Sequence, residues 1–285
     1  MERGYGARVN AASSPTAPSA MSVGTQSRLL VLWAFLAGAL VGVLGGLIGL
    51  GGAEFRLPLL ISLFGFVALQ AVILNKAMSL AVVLTALPAR LASVPLAALT
   101  PHWTIVVNLL AGSLAGAWLG ASWATRMRTA TLHKVLAVLL VLMAAALVWS
   151  HRHSTISLAL PSLPDAVAGL VAGFGIGVVA AVMGVAGGEL LIPTITLLYA
   201  VDVKTAGSLS LVVSLPTMLV AFARYSRDQA FGVLRQHTRF AVAMTLGSVT
   251  GSIVGGLLLG VVPTGLLVPA LAALLLLSAV KLWRH

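Results

Sequence analysis

Gly49-Leu50-Gly51-Gly52-Ala53-Glu54-Phe55-Arg56-Leu57-Pro58 returns 135 positions later as Gly184-Val185-Ala186-Gly187-Gly188-Glu189-Leu190-Leu191-Ile192-Pro193. Paired glycines weaken helix continuation and permit positive φ. A proline four residues after each glutamate suits the first turn of a new helix, where the missing N–H costs nothing. Each stretch therefore predicts a long helix, an unwound joint, and a short helix whose N-terminus starts inside the protein. Such an end offers unpaired N–H groups and a partial positive charge of about half an electron. It can hold an anion without a cationic side chain.

The surroundings of both stretches are apolar. Of 285 residues, 17 are basic and 6 acidic, a charged share of 8% against roughly 25% in a soluble domain. Mean hydropathy is +1.09. A soluble globule could not cover its surface with so few charges. Nor does the net charge of +11 indicate nucleic-acid binding, because the basic residues sit in short clusters between apolar runs. The absence of cysteine excludes disulfides, thiolate metal sites and cysteine nucleophiles. The chain has no Gly-x-Ser-x-Gly elbow, no His-Glu-x-x-His and no phosphate-binding Gly-Lys-Ser/Thr loop. Its acids and histidines do not gather as a metal cluster. The expectation is a membrane protein that is not an enzyme and has no cofactor.

Ten apolar blocks follow a polar tail, 1–28, which is expected to be disordered. They cover 29–50, 55–69, 73–98, 104–125 and 132–149, then 165–187, 189–200, 208–223, 239–262 and 264–283. Blocks near 20 residues can cross a hydrocarbon core of roughly 30 Å as helices. The second block of each half is too short to do so. The offset of 135 recurs beyond the two breaks: Gly38 with Gly173, Gly42 with Gly177, Ser79 with Ser214, His102 with His237, Ser113 with Ser248. Two of only six acids match within it, so duplication is the reading. The repeats are 29–150 and 164–283.

Basic links place the topology. Arg126, Arg128 and Lys134 join blocks four and five; Arg224, Arg227, Arg235 and Arg239 join blocks eight and nine. With these links and both termini in the cytoplasm, the positive-inside rule is met. The first half then enters from the cytoplasm and the second from outside. The predicted fold is all-α and polytopic: two inverted five-segment repeats, ten helical segments, two of them short or re-entrant.

Together with Ala206-Gly207-Ser208-Leu209-Ser210-Leu211 ahead of Pro216, and the weaker Ala77-Met78-Ser79-Leu80-Ala81, the paired breaks give the chain a resemblance to the TauE/SafE family over nearly all of 30–283. That resemblance implies an inner-membrane secondary transporter for sulfite, an organosulfonate or a similar small anion. The joints here carry one acid apiece, where many relatives have longer glycine runs and apolar residues.

Candidate substrate-binding residues are Gly51, Gly52, Ala53, Glu54 and Arg56 at the first break, and Gly187, Gly188 and Glu189 at the second. Arg56 offers a fork of donors to an oxyanion, and its counterpart is Leu191. Asn75, Ser79, Ser208 and Ser210 add polar groups on neighbouring helices, and Lys76 and Arg90 are further cations in apolar runs. Glu54 and Glu189 are the proton-coupling candidates: intramembrane carboxyls line cavities or carry protons, and a proton taken up with the substrate would relieve their repulsion of an anion. Each also suits capping of its short helix. The expected partners are the lipid bilayer, a small anion and protons as coupling ion. A channel built on the same half-helices is the alternative.

Overall fold

A computed structural model describes residues 23–48, 52–93, 100–152, 165–258 and 264–284. Every regular element among them is helical: α1 (Val23–Ile48), α2 (Ala53–Ser62), α3 (Ala68–Ser93), α4 (Trp103–Ala124), α5 (Thr129–Arg152), α6 (Asp165–Met183), α7 (Gly188–Tyr199), α8 (Val203–Tyr225), the single turn α9 (Val233–Gln236), α10 (Thr238–Leu257) and α11 (Thr264–Trp283). Seven of these (α1, α3, α4, α5, α6, α8 and α10) are long and apolar enough to span a membrane. Trp33, Leu40, Val171, Leu246 and Leu257 turn their side chains outward, more than half exposed. Lipid solvates such a surface and water does not. The protein is a multi-pass membrane protein of the all-α class.

The two short helices have 10 and 12 residues, about 15 and 18 Å of helix, so neither can cross alone. α2 starts two residues before the apolar block 55–69 and ends seven residues short of its end. It ends at Ser62, and α3 starts at Ala68 instead of residue 73. Hydropathy hides this turn because the turn is itself apolar: Phe64 packs edge-on against Phe240, 4.8 Å between centroids, and Phe66 against His237 at 5.1 Å. α1 likewise begins at Val23, inside the stretch expected to be a tail, because a helix pairs its own backbone groups as it leaves the bilayer. Asp202 and Lys204 are part of a helix start: Asp202 accepts from the Thr205 N–H at 3.1 Å, and Lys204 lies in the first turn of α8.

Pro58 and Pro193 also lie deeper than expected. α2 starts at Ala53 and α7 at Gly188, so each proline is the sixth helical residue and not part of the first turn. The helices begin earlier because the glycines before them, Gly52 at φ 71° and Gly187 at φ 89°, take the left-handed conformation that turns the chain. Each proline then has no N–H to give the carbonyl four residues back, that of Glu54 or Glu189.

Two interlocked helix pairs build the frame. A Cβ on Gly38 would stand 2.2 Å from the Met244 carbonyl oxygen, and one on Gly42 2.3 Å from that of Ser248. The counterparts behave alike: Gly173 faces Leu109 O at 2.3 Å and Gly177 faces Ser113 O at 2.3 Å. Shifting one partner by +135 and the other by −135 maps the first set onto the second. Contact numbers rise together along both pairs, so α1 runs parallel to α10, and α4 parallel to α6. Small residues let these backbones touch, as helix association in lipid requires. α5 and α11, equivalent by the same offset, pack in opposite directions: Lys134 near the start of α5 lies 5.9 Å from the ring of Trp283 at the end of α11. α3 and α8 fill the middle, touching each other; α3 also meets α2 and α10, and α8 meets α7 and α4.

The ends of the short helices match as well, with one difference. Gly65 after α2 has φ 71°, while its counterpart after α7 is Ala200, the one described non-glycine residue with positive φ, at 54°. A left-handed L-residue costs roughly 1–2 kcal/mol, partly offset by the entropy glycine loses on folding. Ala200→Gly is expected to raise the thermal unfolding midpoint by about 1–3 °C, read by scanning fluorimetry; an unchanged or lower midpoint would show that the strain is absorbed elsewhere.

Candidate functional site: two broken spans around a buried polar cluster

Each short helix opens in the same way. The N–H groups of Phe55 and Arg56 reach the Gly52 carbonyl at 3.2 and 3.3 Å, and those of Leu190 and Leu191 reach Gly187 at 3.1 and 2.9 Å. Gly52 leans on α1, 2.4 Å from a would-be Cβ to the Val41 oxygen, and Gly187 leans on α6 at Ala180 and Ile176. The helix before the second break ends on a Schellman turn: Val185 N–H bonds Ala180 O at 3.1 Å, and Gly184 N–H bonds Ala181 O at 3.1 Å.

Side chains from α3 tie the two breaks together. Asn75 donates through Nδ2 to Ala53 O at 3.0 Å on one side and Met183 O at 3.2 Å on the other. Lys76 donates through Nζ to Ala180 O at 2.9 Å and Val185 O at 2.6 Å. Its ammonium thus sits on the carbonyl end of α6, where a helix favours a cation. Both side chains are fully buried. Lys76 accordingly has a structural task that its sequence context did not show.

Arg56 is also fully buried. Its Nε donates to Asn75 Oδ1 at 2.8 Å, Nη2 to Ser79 Oγ at 2.8 Å, and Nη1 to Ser248 Oγ at 3.3 Å. A guanidinium has five N–H donors. These bonds engage three; among the described residues one N–H on each terminal nitrogen has no acceptor. Snorkelling to an interface is therefore not what this arginine does.

Glu54 and Glu189 are buried, 2% and 9% exposed. Their carboxyls act on each other, and the charges of Arg56 and Lys76 act on Glu54 and Glu189 respectively. As bare carboxylates, Glu54 Oε2 and both Glu189 oxygens are left without a donor among the described residues. A proton between the two would supply one.

The structure brings Gly52, Ala53, Glu54, Arg56, Asn75 and Ser79 together, with Glu189 across from them. Gly188 adjoins the Ser210 hydroxyl, which donates to its own helix at Gly207 O, 2.8 Å. Ser208 is buried two residues earlier on α8, roughly 200° around the axis from Ser210. Gly51 lies outside the described residues, as does the side chain of Arg90. Ser248 was noted in the sequence only as the repeat partner of Ser113; its contact with Arg56 spans 192 positions. Ser113 itself pairs with Thr217 at 2.7 Å. Ser214, the counterpart of Ser79, has a buried hydroxyl with no hydrogen-bond partner among the described residues. The second repeat thus has no arginine for its matching serines to hold.

No curated protein and no solved structure matches the chain. One family model does, that of the sulfite exporter TauE/SafE, over residues 34–282. The match runs from α1 into α11 and so takes in both breaks, α3 and the interlocked pairs. Both breaks and the buried site lie within those bounds, and the chain belongs to the TauE/SafE sulfite exporter family.

Proposed function

We propose that the protein is a secondary transporter that carries a small oxyanion, sulfite or an organosulfonate, across the inner (plasma) membrane by alternating access. The observation that carries this reading is Arg56: a guanidinium held inside the bundle at the N-terminus of a half-helix, with an N–H on each terminal nitrogen that no described residue takes up. Two N–H groups side by side suit two oxygens of one sulfur-centred anion. Around it lie the α2 and α7 amide ends, which favour negative charge. Complete burial of Arg56, Asn75 and Lys76 supports a carrier between its two open forms, since a channel needs a continuous wet path.

In this reading the halves are inverted repeats that rock about the breaks. The exchanged glycine contacts of the two parallel pairs support it, as do the opposed directions of α5 and α11. Both termini face the cytoplasm, as the basic links require. Proteoliposomes containing the protein should accumulate labelled sulfite or an alkyl sulfonate with saturable kinetics. Uptake no greater than in protein-free liposomes for every oxyanion tried would overturn the proposal, and flux far above carrier turnover would make it a channel.

Coupling rests on the facing carboxyls. Two like charges in contact inside a bundle repel each other and the substrate, and one shared proton relieves both. Glu54→Gln and Glu189→Gln are each expected to remove the response of uptake to an imposed pH gradient, about 10-fold or more at the best gradient, while anion exchange without a gradient persists. A full gradient response in both variants would exclude these residues as the coupling site.

A further inference from the structure

At the end of the bundle where α1 and α10 begin lies a cavity of about 350 Å³, remote in sequence from the breaks. Leu30 and Val31 of α1 line one side; Arg235, His237, Thr238 and Arg239 line the other. Parallel packing of α1 and α10 makes this juxtaposition, because it brings the starts of both helices to one face. Arg28, two residues before Leu30, adds a third exposed guanidinium at the same end.

The cavity has a polar end and an apolar one. From Arg239 an exposed apolar stripe runs along α10 through Val242 and Leu246 to Ile253. A second runs along α1 from Leu30 past Trp33 to Leu40. Both point away from the core, into the hydrocarbon that solvates these spans, and Trp33 marks the interface. The cavity is thus cationic where a headgroup would sit and continuous with lipid-facing surface where acyl chains would run. α10 begins there on His237, which makes no side-chain capping hydrogen bond, so its amide end adds to the field. Arginine forks match phosphate oxygens in pairs.

We propose that this cavity is a binding site for an anionic phospholipid, with Arg235 and Arg239 holding the phosphodiester and the α1 and α10 stripes receiving the chains. A free inorganic phosphate would satisfy the cations but leave the apolar wall at Leu30 and Val31 without an occupant. The site is independent of what the breaks transport, and its ligand is not the transported solute.

The test is thermal unfolding of the full chain in detergent, titrated separately with phosphatidylglycerol, phosphatidylcholine and sodium phosphate. Phosphatidylglycerol is expected to raise the midpoint about 3–6 °C beyond phosphatidylcholine. The R235Q/R239Q double variant should lose at least two thirds of that excess while keeping its response to phosphatidylcholine. Equal shifts from the two lipids, or an undiminished excess in the double variant, would overturn the proposal. So would sodium phosphate reproducing the whole shift, which would assign the cavity to a free anion. Should the double variant not fold, native mass spectrometry of the unaltered protein decides: phosphatidylglycerol adducts must survive collision energies that strip phosphatidylcholine, and no such preference rejects the site.

Discussion

Arg56→Leu is expected to abolish oxyanion transport, lowering uptake by 100-fold or more. Leucine is the residue that the second repeat carries at the equivalent position, Leu191, so the change makes the two breaks alike. The loss has two sources. A paired charge-assisted contact in a water-poor site is worth roughly 3–4 kcal/mol, about 100- to 1000-fold in rate or affinity. Asn75, Ser79 and Ser248, now held by three arginine N–H groups, also lose their common anchor. The lost cation also leaves the buried carboxyls and these three polar groups without it, a cost of about 3–5 kcal/mol against a typical margin of 5–15 kcal/mol, so a lower unfolding midpoint accompanies the loss of transport. Unfolding midpoints of the variant and its parent, measured with and without sulfite, separate the two effects. The parent should gain from sulfite and the variant should not. Arg56→Lys keeps the charge but not the planar fork, and should restore less than about a tenth of transport. Wild-type uptake in Arg56→Leu would remove this residue from the substrate site.

The second large effect lies on α6, where two glycines two residues apart face opposite surroundings. A Cβ on Gly177 would come within 2.3 Å of the Ser113 carbonyl oxygen and 2.8 Å of its Cα, both backbone atoms. A Cβ on Gly175 would meet nothing within 4 Å. Gly177→Leu must therefore push α4 and α6 apart along their whole interface, and overpacking that no side-chain rotation can relieve costs about 3 kcal/mol or more. Such a loss is a large part of a typical margin of 5–15 kcal/mol, and little monodisperse protein is expected on size-exclusion chromatography. Gly175→Leu should be neutral or gain up to about 1 kcal/mol from helix propensity. If both variants purify alike, contact between the α4 and α6 backbones is not what holds this pair.

Much of the architecture can be read in the chain because its few charges are informative. Glu54 and Glu189 stand at equivalent places in apolar runs, and that pair fixes the offset which the glycine contacts then follow residue by residue. Turns made of apolar residues are not readable this way: the chain leaves α2 through Leu63, Phe64 and Gly65, and hydropathy sees no interruption. The prolines misled for a related reason, since a proline marks where a helix lacks an N–H and not where the helix starts.

For the site, residue type and burial could be foreseen but partners could not. Arg56 and Asn75 were expected to be polar groups near the break. That one side chain of α3 reaches backbone on both breaks depends on how α3 lies across the end of α6, and no local pattern encodes it. Lys76 is the clearest case. Its ammonium binds carbonyls at and just past the C-terminal end of a helix that begins roughly 90 residues later in the chain.

The pairing of α1 with α10 also dictates an order of assembly during synthesis. Gly38 meets Met244 across roughly 200 residues of chain, whereas Gly112 meets Leu170 across fewer than 60. At about 5–20 residues per second, the first span waits on the order of 10–40 s after leaving the ribosome before its partner emerges. Meanwhile its smooth glycine face can only rest against lipid or the insertion machinery. The α4–α6 pair closes well before that, so the nascent chain docks its middle before its beginning.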